Sequence, residues 1–294
     1  MATLRELKGR IGSVASSEKI TGAMKMISSA KMHKAEGALR RLKPYRSVIE
    51  TIIGNLLSSD AAFSSPLTEE RPVRDLTLVV LGSDDGLCGA YNINIVKYLA
   101  TVVADRRARY GSEAKIHILA VGRKMVKAAA RLAAPGIDIL PAADVSSKSE
   151  GEDVKNFEAE LRRRFLRGET DRVEIAYMSY HSAARQRPRT DVMLPLSAEA
   201  FSTDGVHDNV RPYIFEPGPQ EIFATVLPMY LLAMAQEVFT ENRASEQAAR
   251  VMAMQSANDN AKKLLDQLRL EYNKLRQQSI TTELLDIVGG QVRD

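Results

Sequence analysis

The feature that most constrains this 294-residue chain is the length of the helical pattern at each of its ends. Apolar residues recur at helical spacing over residues 2–58 and again over 219–288, which predicts one long helix at each end. At about 1.5 Å per residue, these helices would be rods of roughly 80 and 100 Å. The segment between them is too short to bury such rods along their length. We therefore expect an antiparallel shaft with a globular body attached and partner proteins around it.

Composition favours helical packing and excludes several classes of protein. Hydrophobic residues make up 45% of the chain, but aromatic residues only 5%. The single cysteine, Cys88, rules out an internal disulfide framework. The longest apolar run, 226–235, contains Pro228, so no membrane-spanning helix is expected. The N-terminus has no apolar signal region, which favours an intracellular protein of bacterial type.

Charge is unevenly distributed along the chain. Residues 1–46 carry six lysines and five arginines against three glutamates, whereas the whole chain has a net charge of only +4. A basic first helix and an acidic remainder indicate an electrostatically matched partner. Nucleic acid is one alternative, but no aromatic residues are interleaved with the basic ones, so we predict no nucleic-acid binding.

The first rod has a clear start and an irregular stripe. Thr3 and Glu6 form a capping-box pattern. Apolar residues then follow with a predicted phase break in the middle, and Pro44 is expected to kink the helix or weaken its hydrogen bonding. The stripe consists of Leu4, Leu7, Ile11 and Val14, then Ile20, Met24 and Ile27, then Leu39, Leu42, Tyr45, Ile49, Ile52 and Leu56.

The second rod begins at Pro217-Gly218-Pro219 and is predicted to stop at Gly289-Gly290. Its seam is predicted at Met254, Ala257, Ala261, Leu264, Leu268 and Leu275. Because it outlasts the first rod, its last turns should project alone. Those turns carry Ile280, Leu284, Leu285, Ile287 and Val288, and such an exposed apolar tip usually lies inside a partner.

Between the rods the apolar period changes to one that alternates strands with helices. This order predicts an α/β fold, a Rossmann-like α/β/α domain with a mostly parallel sheet. The predicted strands are 76–81, 116–121, 137–140, 173–180 and 191–196, and the predicted helices are 93–110, 123–134 and 152–167. The division by domain is 1–58, 74–200, a foot loop over 201–218, and 219–288.

The first strand runs into the turn Ser83–Asn92, SDDGLCGAYN. In a doubly wound fold this turn could hold a phosphate, but it lacks both common phosphate-binding glycine motifs, and Asp84 and Asp85 would repel an anion. A structural turn is favoured. His33, His117 and His207 show no metal-ligand spacing, and Cys88 has no base that the sequence places beside it. We predict no catalytic site, no cofactor and no metal.

Several segments resemble the gamma subunit of F-type ATP synthases from end to end. They are KITGAMKMISSAKM (Lys19–Met32), the turn Ser83–Asn92, SEQAARVMAMQSANDNA (Ser245–Ala261) and YNKLRQQSITTELLDIVGG (Tyr272–Gly290). Departures from the family pattern are small: Gly22 stands where many members carry Lys, Val251 where Met is usual, Asn258 where Thr is usual, and Gln291 where Ala is usual.

The resemblance implies a noncatalytic rotor whose terminal helices turn inside a ring of alternating alpha and beta subunits. Lys19 and Met24 would lie near the lever loop of a beta subunit. Further coupling contacts to the ring would be Arg250, Arg276, Gln277, Thr281, Glu283 and Asp286. Ile280, Leu284, Leu285 and Val288 would turn in an apolar bearing, and Tyr213 and Glu216 would face the membrane c-ring.

The resemblance also implies an epsilon subunit bound to the α/β body, one copy of the chain per complex, and a peripheral location at the cytoplasmic face of the bacterial inner membrane. Two other interpretations compete with it. One is a doubly wound nucleotide-binding enzyme with helical oligomerisation arms. The other is a basic coiled-coil adaptor for nucleic acid.

Overall fold

The computed structural model describes residues 3–57, 64–197, 201 and 215–291, with side chains to 285. The two long helices are α1 (Leu4–Leu57) and α5 (Pro219–Gln291). The remaining helices are α2 (Tyr91–Tyr110), α3 (Arg123–Ala129) and α4 (Glu152–Leu166). The strands are β1 (Asp75–Leu81), β2 (Lys115–Val121), β3 (Ile137–Pro141), β4 (Arg172–Ser182) and β5 (Arg185–Leu194). Short 3₁₀ turns occupy Pro66–Thr68 and Ala130–Leu132.

Both predicted rods are present, with some differences in detail. The capping box is formed: the Glu6 carboxylate accepts from the Thr3 N–H at 2.8 Å, and the Thr3 hydroxyl accepts from the Glu6 N–H at 3.2 Å. Helix α1 continues through Pro44, so this proline does not end it. Helix α5 continues through both glycines to Gln291, so the predicted stop at 288 is three residues early.

The sheet has five strands in the order β3-β2-β1-β4-β5. Strands β1 to β4 run parallel, and β5 pairs antiparallel with β4 through a tight hairpin. The connection from β1 to β2 moves one way across the sheet, whereas the chain from β3 to β4 returns past β1. This reversal is the topological switch point of a doubly wound fold, and it lies between β1 and β4. The predicted Rossmann-like class is confirmed.

Side chains alternate between two cores because neighbouring residues of a strand face opposite sides. On one side, Leu78 and Ile118 pack with α2 and α3 in one apolar cluster. On the other side, Val79 and Ile175 pack with α4, with the last turns of α1 and with the apolar first half of α5. Both faces of the sheet are therefore covered by helices.

The chain divides into two compact units, one of residues 1–29 and 250–294 and the other of residues 30–249. In the first unit, the beginning of α1 pairs with the end of α5. In the second unit, the end of α1 and the beginning of α5 pack with the sheet and the shorter helices. In the second unit the two long helices run antiparallel, since Lys43 pairs with Glu241 and Arg46, further along α1, pairs with Glu237. In the first unit Asn258 bonds to Glu18.

The predicted phase break in α1 is wrong. A single heptad series runs the whole length of the helix, and each of its members is buried or half-buried. Polar residues occupy this series between Val14 and Met32, which made the sequence look out of phase. Ile20 and Ile27 lie outside the series and are 59% and 56% exposed. Tyr45 and Ile52 also face outward, and Arg46 and Ile53 take their places. The series is 4, 7, 11, 14, 18, 21, 25, 28, 32, 35, 39, 42, 46, 49, 53 and 56.

The predicted seam of α5 is partly wrong for a similar reason. Leu265 is 7% exposed and Leu264 is 41% exposed, so Leu265 belongs to the seam. Two turns earlier, the polar Asn258 is buried, whereas Ala257 was the residue predicted in the seam. The seam consists of Met254, Asn258, Ala261, Leu265, Leu268, Tyr272 and Leu275.

Helix α5 contains an 18-residue window with a mean hydropathy of 1.6, which would suffice to span a membrane by length and composition. More than half of that window is buried in the protein. Its apolar first half supplies Phe223, Leu227 and Leu231 to the core between α4 and the sheet. The core helix of a soluble protein passes the same test, so this helix is only weak evidence for a membrane span.

Candidate functional site

The turn after β1 is closed by its own side chains. Asn92 accepts a hydrogen bond from the Ser83 N–H at 3.1 Å and donates to the Ser83 hydroxyl at 2.7 Å. That hydroxyl donates to the backbone oxygen of Asp85 at 2.8 Å. Gly89 has a φ of +59°, a left-handed conformation that glycine adopts without strain. These bonds support the structural interpretation of the turn.

Asp84 holds the turn to two neighbouring segments. One carboxylate oxygen accepts from the Arg123 N–H at 3.0 Å, and the other accepts from the N–H and the hydroxyl of Ser147, each at 2.9 Å. Burial alone would raise the pKa of Asp84, but these hydrogen bonds outweigh it and hold the pKa below its ordinary value. A buried carboxylate therefore lies where a phosphate-binding turn would hold an anion.

Helix α5 covers the carboxyl end of β1 and the neighbouring part of β4. Asn242 donates to the backbone oxygen of Gly82 at 3.1 Å, directly after β1. Ser245 donates to the backbone oxygen of Met178 in β4 at 2.8 Å. Open α/β sheets bind their ligands at this switch point. Because side chains of α5 occupy it, the geometry speaks against the nucleotide-binding interpretation.

A polar contact lies in the seam of the first unit. Asn258 is 7% exposed and donates to the backbone oxygen of Glu18 at 2.7 Å and to the Thr21 hydroxyl at 3.3 Å. Gly22 lies against the same amide, since a Cβ added there would be 3.3 Å from its nitrogen. The buried polar group is satisfied across the two helices, which favours one axial register.

The end of α5 is exposed. Ile280, Leu284 and Leu285 are 49%, 57% and 66% exposed. The predicted polar contacts Arg276, Gln277, Thr281 and Glu283 lie on the same turns and are also exposed. With 3.6 residues per turn, Ile280 and Leu284 share a face with Arg276 and Glu283. Apolar and polar side chains are therefore interleaved, and the segment has no separate apolar face. Asp286 and Val288 are in the helix, but their side chains lie outside the described residues.

The other predicted contact residues do not form one cluster. Lys19 is exposed, Met24 is half-buried and Arg250 is only 6% exposed. Arg250 and Arg276 are about 40 Å apart along α5 at 1.5 Å per residue. At the predicted foot, Glu216 is exposed and Tyr213 lies outside the described residues. The structure thus distributes these residues along the long helices.

Asn242 and Ser245 were not among the predicted site residues. They lie in a helix that was interpreted as shaft, and only the polar run from Thr240 to Gln247 inside an apolar helix could have drawn attention to them. Within the described residues, no group of three or more His, Cys, Asp or Glu side chains is placed to hold a metal ion. His117 lies on β2 between Asp75 and Asp138, at 3.5 and 3.4 Å, and His207 lies outside the described residues.

Comparison with known proteins decides the family. A family profile described as ATP synthase matches residues 3–292. The ATP synthase gamma chain of Phocaeicola vulgatus is 40% identical over 294 residues, which cover 99% of this chain and 100% of that one. The chain belongs to the ATP synthase gamma chain family. The gamma chain of Polynucleobacter asymbioticus is 36% identical over 296 residues and 99% of both chains. Gamma chains of this family form the central-stalk rotor of F-type ATP synthases, and the predicted family is confirmed.

The fold agrees with solved structures of ATP synthases. One chain from the Euglena gracilis mitochondrial ATP synthase (OSCP/F1/c-ring) matches with a TM-score of 0.65 at 23% sequence identity. The match covers 98% of this chain and 93% of that one. The similarity to ATP synthase chains therefore extends from the sequence to the fold.

Proposed function

We propose that this chain is the noncatalytic rotor of a proton-translocating F-type ATP synthase. It would couple ion flow through a membrane ring to ATP synthesis or hydrolysis in a ring of alpha and beta subunits. The observation that carries this proposal is the full-length relationship to gamma chains at 40% identity. The filled switch point supports the noncatalytic part, because the fold's usual ligand position is taken by the chain's own residues.

The long helices would carry the contacts to the alpha/beta ring. Exposed Lys19 on the basic first helix suits an acidic lever loop, since complementary charge steers and orients such contacts. The exposed end of α5 would lie in the ring, with Ile280, Leu284, Leu285 and Val288 as the bearing. Met24 would lie near the same lever loop as Lys19. Polar coupling contacts would come from Arg250, Arg276, Gln277, Thr281, Glu283 and Asp286. The interleaving of polar and apolar side chains would keep the rotor from resting in one deep apolar minimum.

The other partners would bind the second unit. Tyr213 and Glu216 would face the c-ring, and the α/β body would bind the epsilon subunit. One copy per complex, at the cytoplasmic face of the bacterial inner membrane, would suffice for a central shaft. Related structures include ATP synthase assemblies with a c-ring, which supports this set of partners. We propose no nucleic-acid partner and no cofactor.

Reconstitution tests the proposal. Alpha and beta subunits from the same organism are purified and combined with or without this chain, and ATP hydrolysis and single-molecule rotation of a bead on the chain are measured. We expect negligible hydrolysis by the chain alone, and ATP-driven rotation of the bead in the complex. Full activity of the alpha/beta complex without the chain, or tight nucleotide binding by the isolated chain, would contradict the proposal.

A further inference from the structure

A stretch of α5 is buried although it is polar. Ordinary helices bury an apolar stripe, but here eight residues in the middle of a long helix include six polar or charged side chains that are nearly inaccessible. Asn242 and Ser245 are 2% and 0% exposed. The buried polar set is Thr240, Glu241, Asn242, Ser245, Glu246 and Gln247.

Asn242 is the centre of this contact. Its amide nitrogen donates to the backbone oxygen of Gly82 at 3.1 Å, and its amide oxygen accepts from the Tyr91 hydroxyl at 2.6 Å. The same hydroxyl is 3.1 Å from the backbone oxygen of Asn242. One side chain thus joins α5 both to the end of β1 and to the first turn of α2.

Ser245 makes a second connection one turn further along α5. Its hydroxyl donates to the backbone oxygen of Met178 at 2.8 Å. Pro188, which faces Met178 across the β4–β5 ladder, has no N–H group to offer. Buried carbonyl groups require donors, and α5 supplies them to Gly82, directly after β1, and to Met178 in the neighbouring strand β4.

We infer that Asn242 is a positioning residue that, together with Tyr91 and Ser245, latches α5 to the α/β body so that torque passes between them. This inference rests on the proposed rotor function. A surface held only by apolar packing resists separation but resists sliding less, because the hydrophobic effect is non-directional. Hydrogen bonds are directional, and these three, two to the backbone of β4 and the residue after β1 and one to α2, fix α5 both along and around its own axis.

The latch differs from an ordinary buried polar contact in what its loss should change. Loss of a merely structural hydrogen bond lowers stability wherever that bond lies. Thr77 offers a matched control: it is fully buried in β1 and its hydroxyl donates to the Thr170 hydroxyl at 3.0 Å, a hydrogen bond that involves none of the three latch residues. Thr77→Val therefore removes a buried hydrogen bond from the same body and leaves the latch intact.

The test uses the complete ATP synthase in vesicles, with ATP-driven proton pumping measured against ATP hydrolysed. The test variants are Tyr91→Phe, which keeps the ring, and Tyr91→Phe combined with Ser245→Ala. Each hydrogen bond lost should raise the population of the state in which this part of α5 is detached from the α/β body about tenfold. Hydrogen exchange of the amides around residues 240–248 should quicken by the same factor, and protons pumped per ATP should fall while hydrolysis continues.

Thr77→Val should leave both the exchange of that stretch and the pumping ratio unchanged. A pumping ratio in the double variant equal to that of Thr77→Val overturns the latch. The harsher Asn242→Ala is not needed for the decision, because Tyr91→Phe alone retains the packing. If the unmodified complex shows no dependence on this chain, the rotor function fails instead, so the two failures are distinguishable.

Discussion

Gly22 and Asn258 are two positions at which the sequence is expected to depart from the family pattern, and the structure places them in contact. The Asn258 amide lies where a side chain at position 22 would project, 3.3 Å from an added Cβ. The larger amide at 258 is therefore accommodated by the absence of a side chain at 22. The two departures compensate each other, and each should be costly to reverse alone.

A double-mutant cycle measures this compensation. Gly→Ala inside a helix normally stabilises by about 0.5–1 kcal/mol. We expect Gly22→Ala to raise the free energy of unfolding of the natural chain by less than this, because Asn258 must shift. When Asn258→Thr is also present, Gly22→Ala should raise it by the full amount. Urea unfolding of the full chain gives the four free energies, and the coupling should be about 0.5–1 kcal/mol.

Gly12 provides the control for the cycle. It lies in the same helix and the same unit, and an added Cβ there would meet nothing within 4 Å. Gly12→Ala should stabilise fully in both backgrounds. An equal gain from Gly22→Ala with Asn258 and with Thr at that position would show that the two sites do not interact.

Asp84 should make the stability of the body depend on pH. Its folded pKa lies below the ordinary value, so its stabilisation is fully present above the unfolded pKa of about 3.9 and is lost as pH falls through the folded value. Asp84→Asn should cost about 1–3 kcal/mol at pH 7, since the hydrogen bond from the Arg123 N–H or those from Ser147 would meet an amide NH₂. Urea unfolding from pH 3 to 7 should show that the free energies of unfolding of the natural chain and of Asp84→Asn become more similar as the pH falls. A constant difference across that range would contradict this account.

At the scale of elements, Leu264 and Leu265 distinguish the two possible seams of α5. Leu265 is 7% exposed and Leu264 is 41% exposed. Leu265→Ala should destabilise the first unit by about 2–4 kcal/mol, because it leaves a cavity between the helices. Leu264→Ala should cost less than about 1 kcal/mol. The stabilities of the two variants are compared by following helix content during thermal unfolding. Equal losses of stability would mean that both leucines contribute equally to the seam.

The sequence predicts the elements better than it predicts their contacts. Each predicted strand overlaps an observed one. A continuous run of β-branched and aliphatic residues such as 116–121 is typical of a strand in a sheet whose two faces are both covered by helices. The sequence did not predict which residues of α1 form the buried heptad series, because Thr21 and Ser28 occupy positions of that series that usually hold apolar residues. Their burial depends on what the partner helix offers, and Asn258 lies 237 residues away from Thr21 along the chain.

The switch-point contact was unpredictable for a related reason. Asn242 and Ser245 look like a polar face of a surface helix until the strand ends that they contact are known. Strand order, which decides that β1 and β4 are neighbours, leaves no local mark on the sequence. The family resemblance predicted the class of function, but it did not indicate that α5 itself covers the usual ligand position.

At the scale of the whole molecule, the α/β body, the end of α5 and the first helix differ in charge and in exposure. The α/β body is closed at its switch point, whereas the end of α5 exposes leucines that no described residue covers. The first helix carries the positive excess, and the remainder is acidic. A chain with a covered ligand position and an uncovered apolar end is suited to transmitting force to partners.

The exposed end of α5 leads to a prediction about assembly. Leu284 and Leu285 are 57% and 66% exposed, so changing both to Gln should alter the free energy of unfolding of the isolated chain by less than about 0.5 kcal/mol each. In the complex with alpha and beta subunits, the same change should lower ATP hydrolysis, because the apolar bearing would contain two amides. Leu270→Gln is the control, since Leu270 is 72% exposed on the same helix but outside the predicted bearing. An equal loss of ATP hydrolysis from Leu270→Gln would mean that the bearing is not confined to the end of the helix. Unchanged hydrolysis in the double variant would remove these two leucines from it.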